Sequence, residues 1–323
     1  MRTKILLVTS NREHCGIREY DRMLMAALKD DPELDIEVFP NPDSNQLGLP
    51  ECEIIHLNHH AALHSSWTKE RMEEYQRLGY KVTVTQHDTF EKLEVMLERG
   101  FPDFRGADGL VVHEEVEGLT GLSDCPTVNM WKIPQGVLPI NKELRPKQMS
   151  TKVLGAVGFD LPWKNFDMLA RVCEAAGWRL FLFSPGMAEE RKWQQIKRIN
   201  KKAIVFTEWH GAEQIVALLS ACHATAFLYS TGNSGTSGAI RLGIAARRPM
   251  VAFASRQNRD LAGESAIQWV GSEEQVVEIL KMMDSNPHMD FGVEEMEELA
   301  DRDSWRNVGM KYKAMWLAAM EEK

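Results

Sequence analysis

Short apolar runs alternate with longer amphipathic stretches along most of the chain. A strand buried on both faces reads as a brief continuous apolar run, whereas a helix repeats its apolar residues three and four positions apart. On that pattern the first half carries strands at Lys4–Thr9, Asp35–Phe39, Glu53–Leu57, Lys81–Gln86, Gly109–His113 and Thr127–Ile133. Helical patterns fall between them at Ile17–Leu28, Thr68–Leu78, Phe90–Glu98 and Glu114–Leu119. A polar stretch with two prolines, Pro139–Thr151, has no periodicity and reads as a linker. The alternation then restarts. Strands are expected at Lys152–Val157, Arg179–Ser184, Ala203–Phe206, Ala224–Tyr229, Met250–Ala254 and Ala266–Val270. Helices are expected at Asn165–Ala176, Ala188–Asn200, Ala212–Ala221, Gly238–Ala246 and Glu273–Met283.

Strands alternating with helices imply parallel sheets covered on both faces. The expected fold class is therefore α/β, with two tandem Rossmann-like, doubly wound domains. Residues 1–140 form the first and 151–304 the second. Ligands of such sheets bind outside the carboxyl ends of the strands, so a cleft between two such domains is the expected site. The end of the chain, from Val293, reads as helical. Its acids Glu294, Glu295, Glu297, Glu298, Asp301 and Asp303 read as a solvated face. Trp305, Tyr312, Met315 and Trp316 form an apolar stripe, which docks residues 305–323 against a domain as a tail helix.

Composition narrows the class without changing this picture. A chain of 323 residues accommodates two domains of roughly 100–200 residues each. With 44% apolar and 26% charged residues it has the balance of a soluble globular protein. A net charge of −9 argues against a broad nucleic-acid surface. The five cysteines are scattered and none forms a C-x-x-C pair, which points to neither a zinc site nor a disulfide framework but to a reduced, cytoplasmic setting. The apolar run Ile5–Val8 is too short for a signal peptide, and no stretch is long enough to span a membrane.

The richest local chemistry is the segment STGNSGTSGAIRLGIAARRPMV, Ser230–Val251. It follows an apolar strand, concentrates Gly232, Gly235 and Gly238 in a turn, and continues as a helix. Such a turn presents backbone N–H groups at the positive end of the helix dipole, a seat for a phosphate. A tight strand-to-helix turn without a ligand is the other reading.

Several motifs then resemble one enzyme family. His14-Cys15-Gly16-Ile17-Arg18-Glu19-Tyr20 is similar to a glycine-rich loop after the first strand. Val84-Thr85-Gln86-His87-Asp88 resembles a strand ending in histidine, and Ile133-Pro134-Gln135-Gly136-Val137 resembles the signature IPNGV. Gly158 to Asn165 resembles a Gly-Arg…Lys segment, with Phe159 in the arginine position and the lysine at Lys164. Together with the glycine-rich turn, these look like glycosyltransferase family 4, of the GT-B fold, with a C-terminal helix crossing back to the first domain. Ser234 and Leu242 stand where that family places two glutamates.

The resemblance implies transfer of a sugar from a nucleotide-sugar donor, with retention at the anomeric carbon and without a metal. No dissociable cofactor is implied, only the donor, of UDP or GDP type, as co-substrate. His87 and Lys164 are the implied catalytic residues. Gly16, Lys164, Ser234, Gly235, Thr236, Ser237 and Arg241 are the expected donor-binding set, with Arg241 a substitute for the arginine missing at Phe159. His56, His59, His60 and His64 read as an acceptor-side loop rather than a metal site, because no acidic or cysteine partner has matching spacing. Thr68–Leu78 carries mixed charges, which argues against membrane docking.

The acceptor stays open. Lys192, Lys197, Arg198, Lys201 and Lys202 form a basic cluster compatible with a nucleic-acid acceptor, as for a phage-type enzyme that glycosylates DNA bases. The missing glutamates keep a second reading open, a catalytically inactive relic that binds a nucleotide or a partner. No G-x-G-x-x-G follows Thr9, which excludes a dinucleotide oxidoreductase of the usual kind.

Overall fold

The computed structural model describes the chain outside residues 1, 41–49, 61–62, 65, 88–92, 99, 101, 115–128, 141–146, 186–189, 231–234 and 322–323. The expected helix at Glu114–Leu119 falls almost wholly outside the described residues, as do Asp88 and Ser234.

The chain forms two compact units. The first comprises Met1–Gly136, Ser234–Thr236 and Trp305–Lys323, and the second Val137–Asn233 and Ser237–Ser304. Each is built on a six-stranded sheet whose paired strands are all parallel.

In the first unit the strands are β1 (Thr3–Thr9), β2 (Leu34–Pro40), β3 (Ile54–His59), β4 (Lys81–Gln86), β5 (Gly109–Val112) and β6 (Met130–Lys132), in the order β2-β1-β3-β4-β5-β6. Helices α1 (Gly16–Leu28), α2 (Lys69–Arg77) and α3 (Leu93–Glu98) connect them. The core on one face packs Ile55, Leu57, Val82, Val84 and Leu110 against Trp67, Met72 and Tyr75, all buried. Thr68 begins α2 by accepting the Arg71 amide, so its hydroxyl satisfies an amide that has no helical partner.

In the second unit, β7 (Val153–Val157), β8 (Arg179–Phe183), β9 (Ile204–Phe206), β10 (Ala224–Phe227), β11 (Met250–Phe253) and β12 (Ile267–Val270) take the order β12-β11-β10-β7-β8-β9. The helices are α4 (Phe166–Ala176), α5 (Glu190–Ile199), α6 (Ala212–Ser220), α7 (Gly238–Ala245), α8 (Glu273–Ser285) and α9 (Val293–Arg302). Gly243 of α7 brings that helix close to the sheet: a Cβ there would stand 2.4 Å from the Phe227 ring. The last helix, α10 (Trp305–Glu321), belongs to the first unit.

The fold class is as the hydrophobic pattern requires, two Rossmann-like α/β units, and three local expectations are corrected. β3 runs on to His59, so His56 and His59 are fully buried strand residues rather than part of a loop. The C-terminal helical stretch is two helices, α9 and α10, separated at Asp303 and Ser304. Asp303 is 3% exposed and pairs with Arg241, so it does not share the solvated face of Glu294, Glu295, Glu297 and Glu298.

Candidate functional site

The order of strands locates the crevice in each sheet. Where successive connections leave a strand edge in opposite directions, two loops diverge at the carboxyl ends and leave room for a ligand. In the second unit that point lies between β7 and β10. The segment after β7 bears Lys164, and the segment after β10 bears Tyr229, Gly235 and Ser237.

Hydrogen bonds tie the two segments together. Asn165 Nδ2 donates to the Leu228 carbonyl at 2.7 Å, and the Ser230 amide donates to the Trp163 carbonyl at 2.9 Å. Lys164 Nζ donates to Ser237 Oγ at 3.1 Å and lies 3.7 Å from the centre of the Tyr229 ring. The Tyr229 hydroxyl shares Ser237 Oγ at 3.1 Å. Gly158 makes room for this lysine: its φ of +154° suits glycine, and a Cβ there would sit 3.4 Å from Lys164 Cε.

Lys164 is 7% exposed. No carboxylate among the described residues pairs with it, and burial alone pushes its ammonium down to about 7. The amine therefore changes charge near neutrality and gains most from a partner that brings negative charge.

Ser237 precedes α7 without capping it, which leaves its hydroxyl to Lys164 and Tyr229. Its amide is spent on the Gln257 carbonyl at 2.8 Å, so the free donors of this turn begin at Gly238. Gly235 is in the left-handed region at φ +82°. Thr236, grouped with the first unit, accepts Gln135 Nε2 at 2.7 Å on its hydroxyl.

Arg241 is placed among carboxylates. Its guanidinium lies inside the second unit, 3% exposed, and pairs with Asp260 and with Asp303 at 3.1 Å. Two carboxylates already answer its charge. Phe159 is 41% exposed, its ring 6.2 Å from that of Trp209.

In the first unit the crevice lies between β1 and β3. Gly16 opens α1 just beyond β1, and a Cβ there would meet nothing within 4 Å. His87 follows β4 but is buried, and both ring nitrogens are engaged. Nδ1 is 3.2 Å from His113 Nε2, and Nε2 is 3.2 Å from Asn58 Oδ1. Asn58 in turn bonds Asp21, and His113 Nδ1 reaches the Ile133 carbonyl at 2.8 Å. Burial holds His87 well below the usual imidazole value, with His113 adding to the effect.

A second chain runs beside it. His56 meets Thr83 Oγ1 at 2.8 Å and Thr85 Oγ1 at 3.1 Å, Thr85 meets the Tyr312 hydroxyl at 2.8 Å, and Tyr312 meets Tyr20 at 2.9 Å. Burial lowers both His56 and His59 to about 3. Among the described residues no group of three His, Cys, Asp or Glu side chains has the arrangement of a metal site.

Sequence reasoning missed Tyr229, Asn58, Asp21 and His113. Tyr229 and Asn58 stand at strand ends, the one signal available in advance. Asp21 sits mid-helix, one position past Tyr20, the last motif residue, and carries no such signal.

Two Rossmann-like units of this kind define the GT-B fold of glycosyltransfer enzymes. Solved structures agree. A glycosyltransferase from Rickettsia africae ESF-5 superposes with a TM-score of 0.70 at 11% identity, over 100% of each chain. Anabaena HepE in complex with UDP and glucose gives 0.68 at 15% identity, covering 98% of this chain and 100% of that one. Sucrose-phosphate synthase from Thermosynechococcus elongatus gives 0.70 at 13%, over 100% of each. No family model and no curated protein matches the sequence. No helix among the described residues is long and apolar enough to cross a membrane.

Proposed function

We propose that the protein transfers a sugar from a nucleoside-diphosphate sugar to an acceptor, with retention and without a metal. The observation that carries this reading is Lys164, a buried amine at the switch point of the second sheet, with no carboxylate partner among the described residues. Departure of a nucleoside diphosphate needs positive charge and N–H donors held in place beforehand. Lys164, with Ser237, Gly235, Thr236 and the first turn of α7, supplies both. Ser234 and Gly16 complete the proposed donor-binding set. HepE, similar in fold, holds UDP and glucose, which supports a nucleotide-sugar donor here.

His87 is assigned to the sugar side, where a ring nitrogen reaches a ligand by leaving either Asn58 or His113. A binding module without turnover is the second reading, favoured by Ser234 and Leu242 in place of acids. For the acceptor, the exposed positions Lys197, Arg198, Lys201 and Lys202 support a polyanion such as DNA.

The test is a panel of UDP-, GDP-, ADP- and TDP-sugars, read by thermal shift and by release of nucleotide with and without chelator. Binding plus release that survives the chelator is expected. Binding without release across acceptors favours the second reading, and no shift with any nucleotide overturns both.

A further inference from the structure

The buried chain Asp21–Asn58–His87–His113–Ile133 has a proton count that its contacts determine. The Ile133 carbonyl only accepts, so the 2.8 Å contact requires a proton on His113 Nδ1. If His113 is neutral, its Nε2 is an acceptor, and the 3.2 Å contact requires a proton on His87 Nδ1. A neutral His87 then accepts at Nε2. As placed, Asn58 turns Oδ1 toward His87 and Nδ2 toward Asp21; the two ends of an amide are assigned from their partners, and a neutral His87 requires the exchanged orientation, NH2 toward His87 and carbonyl toward Asp21. The last contact then needs a donor on Asp21, that is, a carboxylic acid.

The orientation in which Asn58 is placed gives the other arrangement: His87 donates at Nε2, the His87–His113 pair carries a positive charge, and Asp21 accepts from Asn58, ionised with the same number of protons or neutral with one more on Oδ2. Asp21 ionised beside two neutral imidazoles leaves two lone pairs facing each other at 3.2 Å.

Burial decides between the two complete arrangements. Asp21 is 2% exposed, burial raises it well above the usual carboxylate value, and the neighbouring Thr9 and Asn58 side chains are the groups that counter this. The groups facing the chain from the packed elements are Tyr20 of α1, whose ring meets His87 edge-on at 4.8 Å, and Tyr312 of α10. From β3 and the loop after it come His59, His60 and His64, and Glu114 follows His113. None of the influences on Asp21 is a cation, so an ionised carboxylate would be buried with neutral neighbours alone.

We propose that Asp21 is a neutral carboxylic acid in the folded protein, donating through Asn58 to fix His87 as its Nδ1–H tautomer. Asp21 is thereby a positioning residue for His87. The positioning role rests on the transfer reaction proposed above; the protonation state does not.

Long-range 1H–15N spectra of the full-length, histidine-labelled protein read the tautomers directly. At neutral pH, His87 and His113 are expected as neutral Nδ1–H rings. Asp21→Asn retains the donor and leaves those signals in place, while the infrared difference between wild type and variant shows a protonated carboxyl stretch. An imidazolium on His87 or His113 in wild type, lost in Asp21→Asn, overturns the proposal, and the wild-type spectrum decides even if the variant fails to fold. For positioning, Asp21→Asn keeps the pH profile of sugar transfer and kcat within about twofold, whereas Asp21→Val, which removes the donor, lowers kcat about tenfold or more at unchanged KM. Equal losses in both variants overturn the positioning role. Absence of any transfer activity defeats the function above and leaves the spectroscopic result standing.

Discussion

Both units repeat one architecture, yet their carboxyl edges solve opposite problems. In the first, imidazoles, hydroxyls, an amide and a carboxyl group bond one another in closed chains from Asp21 to Ile133 and from His56 to Tyr20. In the second, one buried amine is held by hydroxyl and ring partners, and no carboxylate among the described residues answers its charge. The comparison separates polar groups that bond one another in chains from a buried cation that no carboxylate among the described residues neutralises. Arg241 shows that the second unit has the means to neutralise a buried cation, since Asp260 and Asp303 do so one helix turn away from Ser237. Lys164 without such a partner is therefore the informative exception.

The largest effect should come from breaking the neutralised cation. Asp303→Ala leaves Arg241 with Asp260 alone and removes a buried charge-assisted hydrogen bond, a loss of about 1.5–3 kcal/mol visible in chemical denaturation. If stability is unchanged, the pair is not what holds Arg241. Next comes the exception itself. Lys164→Ala is expected to weaken nucleoside-diphosphate binding about 10–100-fold by calorimetry, the worth of a charge-assisted hydrogen bond, with little loss of stability. Equal affinity would remove Lys164 from the site.

A packing pair sharpens the contrast between the two interiors. Gly243→Ala drives a methyl against the rigid Phe227 ring and should cost about 1–3 kcal/mol. Gly109→Ala in the first unit meets the flexible Met315 side chain at 2.6 Å and should cost less, so reversal of that order in melting curves would contradict the packing account.

The smallest effects are pH slopes, which share a sign but fall in different pH windows at the two edges. His56 and His59, at about 3 when folded, take up protons on unfolding below about pH 6.5. Stability should therefore fall as pH drops from 6.5 toward 3, by up to about 1.4 kcal/mol per pH unit for each group. Lys164, at about 7 when folded against 10.5 unfolded, binds its proton in the unfolded chain between those values. Its share of stability rises with pH across that window, and Lys164→Met should flatten the slope. Donor binding at pH 8 should take up a proton at this amine, measurable as a buffer-dependent heat.

The sheets were legible because each strand is a run of apolar residues and each connection repeats at helical spacing. Lys164 and the turn at Gly235–Ser237 were legible as motifs. What joins them was not: Ser237 is 73 positions from Lys164, and the strand order that makes them neighbours is a property of pairing rather than of any local pattern. Asp303 read as solvated because it continues an acidic run, although Arg241, 62 positions away, draws it inside. β3 reads as ending at Leu57 because Asn58 and His59 are polar; their place in the strand depends on Asp21 of α1 and on β4 with His87 beyond it. Polar interiors hide from hydrophobic pattern for this reason, since their partners are distant in sequence.

The Tyr312–Thr85 and Tyr312–Tyr20 bonds have a consequence for synthesis of the chain. On the ribosome, domains generally form in the order in which they emerge. Here the first unit includes α10, which buries Tyr312 and Trp316 among residues made some two hundred positions earlier in the same chain, with Thr85 227 and Tyr20 292 positions upstream. The second unit, nearly contiguous from Val137 to Ser304, has its segments in hand before α10 is translated. The unit that starts first is thus completed last, and a nascent chain stalled before Trp305 would hold a finished second unit beside a first unit whose hydroxyls and histidines still lack their closing partner.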